Sequence, residues 1–273
     1  MSELAQGLFA TLFPADCRLC GTPLTNISRL PVCLECLSSM RPISGGVCSV
    51  CGERLASEHA FTGQYGEPQC GLCRRLDPPF ERAAAYGSYN GGLRDLIHLL
   101  KYEQVRPAAN VLGRMLSEVV AGIASNFAAS DVLVVPVPLH MRKLRERGFN
   151  QSELIAKAAL KLNPAGGRLA LCAKALERRR ETRSQIGLSS HQRRENMRGA
   201  FAVTDPDQVH GHEILLVDDV LTTGTTASEC ARVLRRAGAS KIWVATVART
   251  LKEHPNAALP EEVGEPMAMA AHG

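Results

Sequence analysis

Apolar residues recur at helical spacing at Leu93, Leu96, Ile97, Leu99 and Leu100, directly after Gly91-Gly92, and again at Val111, Leu112, Met115, Leu116 and Val119 after Pro107. Both stretches predict helices with one apolar face, the second opened by a proline whose missing N–H would be unsatisfied in a first turn anyway. The pattern then changes. Val132-Leu133-Val134-Val135 is a continuous β-branched run, as expected of a parallel strand covered on both faces, and Pro136-Val137-Pro138 ends its pairing. Asn150 precedes a further helix to about residue 162. Residues 213–217 predict a second buried strand, residues beyond Thr226 a helix to Ala237 capped by Gly238, and residues 241–247 a third strand that buries Trp243. Strands alternating with helices predict an α/β fold with a parallel sheet. Open sheets of this kind bind ligands at their carboxyl edge, where the loop from Pro136 to Gly148 would lie.

The cysteines change this picture at one end of the chain. Eight of the ten fall between Cys17 and Cys73, as four C-x-x-C pairs: Cys17/Cys20, Cys33/Cys36, Cys48/Cys51 and Cys70/Cys73. Two thiolates on a tight knuckle supply half of a tetrahedral shell, so four pairs predict two closed four-cysteine zinc sites, structural because no position is left for substrate or water. Gly21 and Gly52, each directly after a pair, suit the left-handed turn of a knuckle. Spacing leaves the pairing open between sequence neighbours and an interleaved cross-brace, and neighbours are favoured. The division that follows is a zinc-holding module over 1–78, an α/β domain over 79–250 and a disordered tail over 251–273. Few large apolar groups occur in the first of these, so its folding should depend on metal. Cys172 and Cys230 are expected to pack as small hydrophobes in helices.

Charge and termini narrow the class further. Residues 1–14 open with Ser2 and Glu3 rather than a basic segment, and no stretch reaches the roughly 18 apolar residues of a membrane span, which predicts a cytoplasmic protein with its thiols available for metal and without membrane insertion. The net charge of +5 is mild but gathered in runs, at Arg142, Lys143, Arg145 and Arg147, at Arg178, Arg179, Arg180 and Arg183, and at Arg193 and Arg194. Such runs suit nucleic acid or a phosphorylated small molecule. His98, His140 and His191 lack metal-like spacing and are expected to be polar surface or core residues.

The second strand carries the most specific chemistry. It leads into Asp218-Asp219-Val220-Leu221-Thr222-Thr223-Gly224-Thr225-Thr226, two carboxylates followed by a hydroxyl-rich turn that opens a helix. The free N–H groups and positive dipole end of a helix N-terminus bind phosphate, Gly224 lets the backbone approach closely, and the threonine hydroxyls add donors. The carboxylates would repel a phosphate placed on them but accept hydrogen bonds from vicinal ribose hydroxyls or hold hydrated Mg²⁺. A G-x-x-x-x-G-K-[ST] phosphate loop is absent from this stretch. Acids followed by phosphate donors point to a sugar phosphate.

Ile214 to Thr226 resembles the phosphoribosyl pyrophosphate motif of type I phosphoribosyltransferases. Phe13-Pro14, Leu99-Leu100-Lys101-Tyr102, Pro136-Val137-Pro138, Arg147-Gly148-Phe149-Asn150-Gln151, and Thr182, Gln185, Leu188, Arg194 and Asn196 narrow the resemblance to the ComF family, over roughly residues 8–250. That resemblance implies a type I phosphoribosyltransferase fold, a parallel sheet flanked by helices, behind a small double zinc ribbon. It implies that Asp218 and Asp219 hold the ribose hydroxyls with Mg²⁺ nearby, that Thr222, Thr223, Gly224, Thr225 and Thr226 cradle the 5′-phosphate, and that Val137 belongs to the pyrophosphate loop. Arg147, Arg180 and Arg194 are the basic candidates for pyrophosphate. Where purine-salvage members of the class have an acid opening the phosphate loop, this chain has Thr222, as amidotransferase and orotate relatives also lack that acid. The activity implied is handling or transfer of a phosphoribosyl group to an acceptor the sequence does not name. The alternative implied by the family's link to natural competence is a protein of DNA uptake that binds single-stranded DNA and uses the fold as sensor or scaffold.

Overall fold

The computed structural model describes residues 15–24, 28–55, 66–182 and 190–252. Phe13, Pro14, Arg183, Gln185, Leu188 and the tail from 253 lie outside them, as do the side chains of His191 and Arg194. The elements are α1 (Leu34–Ser38), α2 (Gly71–Leu76), β1 (Arg82–Ser88), α3 (Gly91–Tyr102), α4 (Ala108–Ile123), β2 (Val132–Pro136), α5 (Met141–Arg147), α6 (Gln151–Leu160), β3 (Leu169–Leu171), β4 (Leu176–Arg178), α7 (Ser190–Met197), β5 (Phe201–Val203), β6 (Glu213–Leu221), α8 (Thr225–Arg236) and β7 (Lys241–Arg249). Among the described residues, no helix is long and apolar enough to cross a membrane.

Five strands form one sheet in the order β1-β7-β6-β2-β3, with every adjacent pair parallel. Ile214, Leu215, Leu216 and Val217 of β6 are all essentially inaccessible, which is why this run is apolar without alternation. One face of the sheet packs on α3, α4 and α6 through Leu96, Ile97, Leu112, Leu116 and Ile155, and the other packs on α8 through Ala227, Cys230, Ala231 and Leu234. The chain moves from β2 outward to β3 through α6 on the first face, and from β6 the opposite way to β7 through α8 on the second. That arrangement gives both crossovers the same hand, and it makes the gap between β2 and β6 the point where the winding reverses.

Besides β1 and β3, for which the sequence predicts no strand, three features differ from the sequence reading. The segment from Pro136 to Gly148 is not all loop. It contains α5, whose N-terminus is capped by His140, with Nδ1 accepting from the Arg142 amide at 3.4 Å, and whose end is turned by Gly148 at φ +77°. Strand β6 runs past residue 217 to Leu221 because its ladder with β7 continues through Val220↔Ala248 and Leu221↔Arg249, so Asp218 and Asp219 lie within the strand. Cys172 follows β3 outside any helix, whereas Cys230 is fully buried in α8.

The cysteine segments form two copies of one unit. In the first, the Cys17 amide bonds to Thr22 O and the Gly21 amide to Cys17 O, both at 2.8 Å; in the second, the Cys48 amide bonds to Glu53 O at 2.8 Å and the Gly52 amide to Cys48 O at 2.9 Å. Both knuckle glycines have positive φ, +76° at Gly21 and +69° at Gly52. Both units dock on the sheet body: Leu30, Val32 and Met40 join the core beside Leu93 and Leu96, Ile43 donates to Tyr86 O at 2.6 Å, and Val50 O accepts from Ala83 at 2.7 Å.

Candidate sugar-phosphate site and cysteine centres

The sulfurs of Cys17, Cys20, Cys33 and Cys36 lie within 4.8 Å of one another, and so do those of Cys48, Cys51, Cys70 and Cys73, which is the grouping of sequence neighbours. Sulfurs about 2.3 Å from a common tetrahedral centre are separated by roughly 3.8 Å. The observed separations are 3.9 Å for Cys17–Cys36, 3.7 Å for Cys20–Cys33 and 3.7 Å for Cys51–Cys70, right for a shared ion and far longer than a disulfide. Backbone amides stabilise the thiolates: Cys33 donates to Cys17 Sγ at 3.3 Å, Cys36 to Cys33 Sγ at 3.4 Å, Cys70 to Cys48 Sγ at 3.3 Å and Cys73 to Cys70 Sγ at 3.4 Å. The donor set is all thiolate and closed, as in structural zinc sites.

At the carboxyl edge of the sheet, Val137 follows β2 and donates to Val217 O at 2.8 Å, placing the post-β2 segment directly over the end of β6. Asn150 ties that segment down, with its side-chain amide donating to Val137 O at 3.0 Å and its Oδ1 accepting from the Ser152 amide at 3.1 Å as the cap of α6. Ser152 Oγ then donates to Asp218 Oδ1 at 2.9 Å, and the Asp219 amide donates to the same oxygen at 2.9 Å. Even so, burial beside the Asp219 carboxylate pushes the Asp218 carboxyl up to about 7, an effect that Lys101 and these hydrogen bonds reduce without cancelling.

Asp219 is buried and ion-paired with Lys101 of α3. Burial pushes the Lys101 ammonium down, but the adjoining Asp219 carboxylate more than offsets this and holds its pKa above the ordinary value. The second acid is therefore neutralised from α3, while the first is held by Ser152 and the Asp219 amide. After β6 comes the turn. Gly224, at φ +74°, is the N-cap residue of α8, a conformation glycine takes without steric cost. Thr223 Oγ1 and Thr225 Oγ1 lie 2.9 Å apart. Among the described residues, the amides of Thr222, Thr223, Gly224 and Thr225 donate to no protein acceptor. Four donors at the positive end of a three-turn helix, next to an acid pair, form a cradle for an anion that also carries hydroxyls.

The basic residues are distributed unevenly around this site. Arg178, at the end of β4, bridges in parallel to His140 and lies over the Phe201 ring at 5.4 Å, with its guanidinium bonded to Thr182. Burial lowers the pKa of its guanidinium. Arg147 instead lies over the Tyr102 ring at 5.7 Å and bonds to Gln151. The Arg180 guanidinium donates to Asn196 O and Arg198 O, each at 2.8 Å, and so fastens the end of α7; Arg194 lies on α7 itself. From the sequence, Arg178 stands out only as part of a basic run and Lys101 only within a family-like stretch, and Ser152 does not stand out. Lys101 did carry a signal: it stands four residues after the buried Ile97, where the apolar face of α3 predicts another hydrophobe. Ser152 carried none, since its role depends on α6 crossing the end of β6.

The chain is similar to known proteins. Residues 8–75 match the double zinc ribbon domain and residues 153–261 the phosphoribosyl transferase domain. The DNA utilization protein YhgH of Escherichia coli K12 is 34% identical over 216 residues, covering 76% of this chain and 91% of that protein. Competence protein F of Haemophilus influenzae is 27% identical, covering 80% and 96%, and competence protein ComFC of Bacillus subtilis is 24% identical, covering 76% and 79%. With a ribbon carrying two cysteine tetrads ahead of a phosphoribosyltransferase-type sheet, and with relatives alike across most of their length, this chain belongs to the ComF family.

Proposed function

We propose that the chain binds phosphoribosyl pyrophosphate together with Mg²⁺ and handles its phosphoribosyl group. The observation that carries this reading is Asp218 standing four residues before a turn whose amides, Thr222 to Thr225, meet no acceptor among the described residues. The 5′-phosphate accepts from the turn, and the ribose hydroxyls donate to the acids at the end of β6. The segment carrying Val137, tied to the end of β6 by the Val137–Val217 bond, is where the pyrophosphate would lie. Mg²⁺ bound with the ligand beside the Asp218 and Asp219 carboxylates would supply positive charge to the leaving pyrophosphate. In transfer, the C1–O bond breaks with its electron pair leaving on pyrophosphate, a bond forms from the acceptor's nucleophilic atom to C1, and the acceptor releases a proton. No protein nucleophile is needed, and the chain's contribution is to hold the ring and stabilise separated charge.

Calorimetric titration with phosphoribosyl pyrophosphate and Mg²⁺ tests this. Wild type should give a saturable heat that Asp218→Asn/Asp219→Asn reduces at least tenfold in affinity; identical traces from both proteins would refute the reading.

The names of the relatives, which refer to DNA utilization and competence, favour a second role on single-stranded DNA in the same protein. Binding through the arginine runs should weaken steeply with salt, by roughly a factor of ten for each few phosphates neutralised between 50 and 200 mM. No association at the lowest salt would remove this role.

A further inference from the structure

The second cysteine tetrad is joined to the end of β7 through a buried ion pair. Arg249, the last residue of β7, donates from Nη2 to Glu53 Oε2 at 3.0 Å and to Cys51 Sγ at 3.6 Å, and both charged side chains are at most about a tenth exposed. Glu53 also accepts from the Lys252 amide at 3.1 Å through Oε1, so one carboxylate of the ribbon grips the chain on both sides of Thr250. Knuckle residue Gly52 is pressed against the same place: a Cβ there would lie 3.2 Å from Ala83 O and 4.0 Å from Arg249 Cδ.

The segment gripped in this way also holds the start of the phosphate turn. Arg249 pairs with Leu221, the Thr250 amide donates to Leu221 O at 3.0 Å, and the Tyr89 amide donates to Arg249 O at 2.8 Å. Leu221 is the residue immediately before Thr222. The last ladder bond before the turn is therefore made by the residue between the ribbon's two grips. An unpaired charge at Arg249 would be expensive in this buried setting, so the position of the strand end and the closure of the tetrad depend on each other.

We propose that Arg249 is a positioning residue that couples the second cysteine tetrad to the phosphate turn, so that an ion in Cys48, Cys51, Cys70 and Cys73 fixes the turn in its anion-binding form. The proposal deepens the sugar-phosphate reading and rests on it only for the identity of the anion.

The test compares full-length, zinc-loaded wild type with Arg249→Met and Arg249→Lys by two ligand-free measurements, zinc release to a chromophoric chelator and amide exchange of the peptide covering residues 217–226. Titration with phosphoribosyl pyrophosphate and Mg²⁺ follows. In Arg249→Met one of two zinc ions should leave at least tenfold faster, the turn should exchange at least tenfold faster, and ligand affinity should fall by a similar factor. Arg249→Lys, which keeps the charge, should lie between. Exchange in β2 should stay at the wild-type rate, and a rise there equal to that in the turn would count as general unfolding and overturn the proposal. So would faster zinc release with an unchanged turn, or unchanged zinc release. A wild type that binds no sugar phosphate would remove the functional reading, while exchange and zinc release would still decide the coupling.

Discussion

At the scale of single residues, the two acids of β6 differ more than their adjacency suggests. Asp219 has its counter-ion in Lys101, whereas Asp218 has hydrogen bonds and an unfavourable neighbour. With its carboxyl pushed up to about 7 by burial and by Asp219, Asp218 retains a proton in the fold at pH values where the unfolded chain has lost it. The native state then binds more protons than the unfolded one between roughly pH 4 and pH 7, so this residue's contribution to stability is present at the acid end and lost as pH rises through that window. Asp218→Asn keeps the shape and removes the titration. In Mg²⁺-free buffer its melting temperature should match wild type near pH 4.5 and exceed it at pH 7.5, a gain on the order of 3 kcal/mol. A difference that stays flat or reverses with pH would show that Asp218 is ionised in the fold. The same variant should lose sugar-phosphate binding, which places the destabilising charge at the site where a ligand would use it.

At the scale of elements, α6 delivers Asn150 and Ser152 to the end of β6, and its height is set by a close contact with α4. A Cβ at Gly113 of α4 would lie 2.4 Å from Ala158 Cβ and 3.0 Å from the Ala158 carbonyl carbon and the Ala159 amide nitrogen. Gly113→Ala must push the helices apart and should cost about 1–3 kcal/mol. Because Ser152 moves with α6, phosphoribosyl pyrophosphate affinity should fall with stability, and Gly113→Ala/Ala158→Gly should recover part of both. Calorimetry and denaturant midpoints of the three proteins check this; full stability in the single variant would mean that the contact does not set the helix. The helices α3, α4, α6 and α8 and the strands β2, β6 and β7 were legible because apolar patterning reports burial directly, as at Leu93 to Leu100 and Ile214 to Val217. Elements without that periodicity were not: α5 depends on a histidine cap and a glycine stop, and β4 and β5 are three residues each. The acids and threonine turn were readable because their chemistry is contiguous in sequence, whereas Ser152→Asp218 and Lys101–Asp219 join residues far apart in the chain.

Across the whole molecule, the cysteine units and the sheet share a buried surface. The sequence predicts that the cysteine segment cannot fold without metal, but it does not reveal that Cys17, Leu30, Val32 and Met40 complete the same core as Leu93 and Leu96. Nor does it show that Glu53 neutralises Arg249, an arginine otherwise buried at a strand end. Removing both ions should consequently expose apolar surface on the sheet and leave a buried guanidinium without its partner, as well as unfold the ribbons. The only tryptophan in the chain, Trp243, reports this selectively, since it lies in β7 against Phe127 at 5.8 Å between ring centroids, within the sheet body. Treatment with a strong chelator should lower the Trp243-detected melting temperature by about 5 °C or more, the shift expected when a domain of this size loses roughly 2 kcal/mol. Restoring zinc should restore the midpoint. If Trp243 melted at the same temperature with and without the ions, the ribbons would be attached modules, and the shared core would contribute no stability to the sheet.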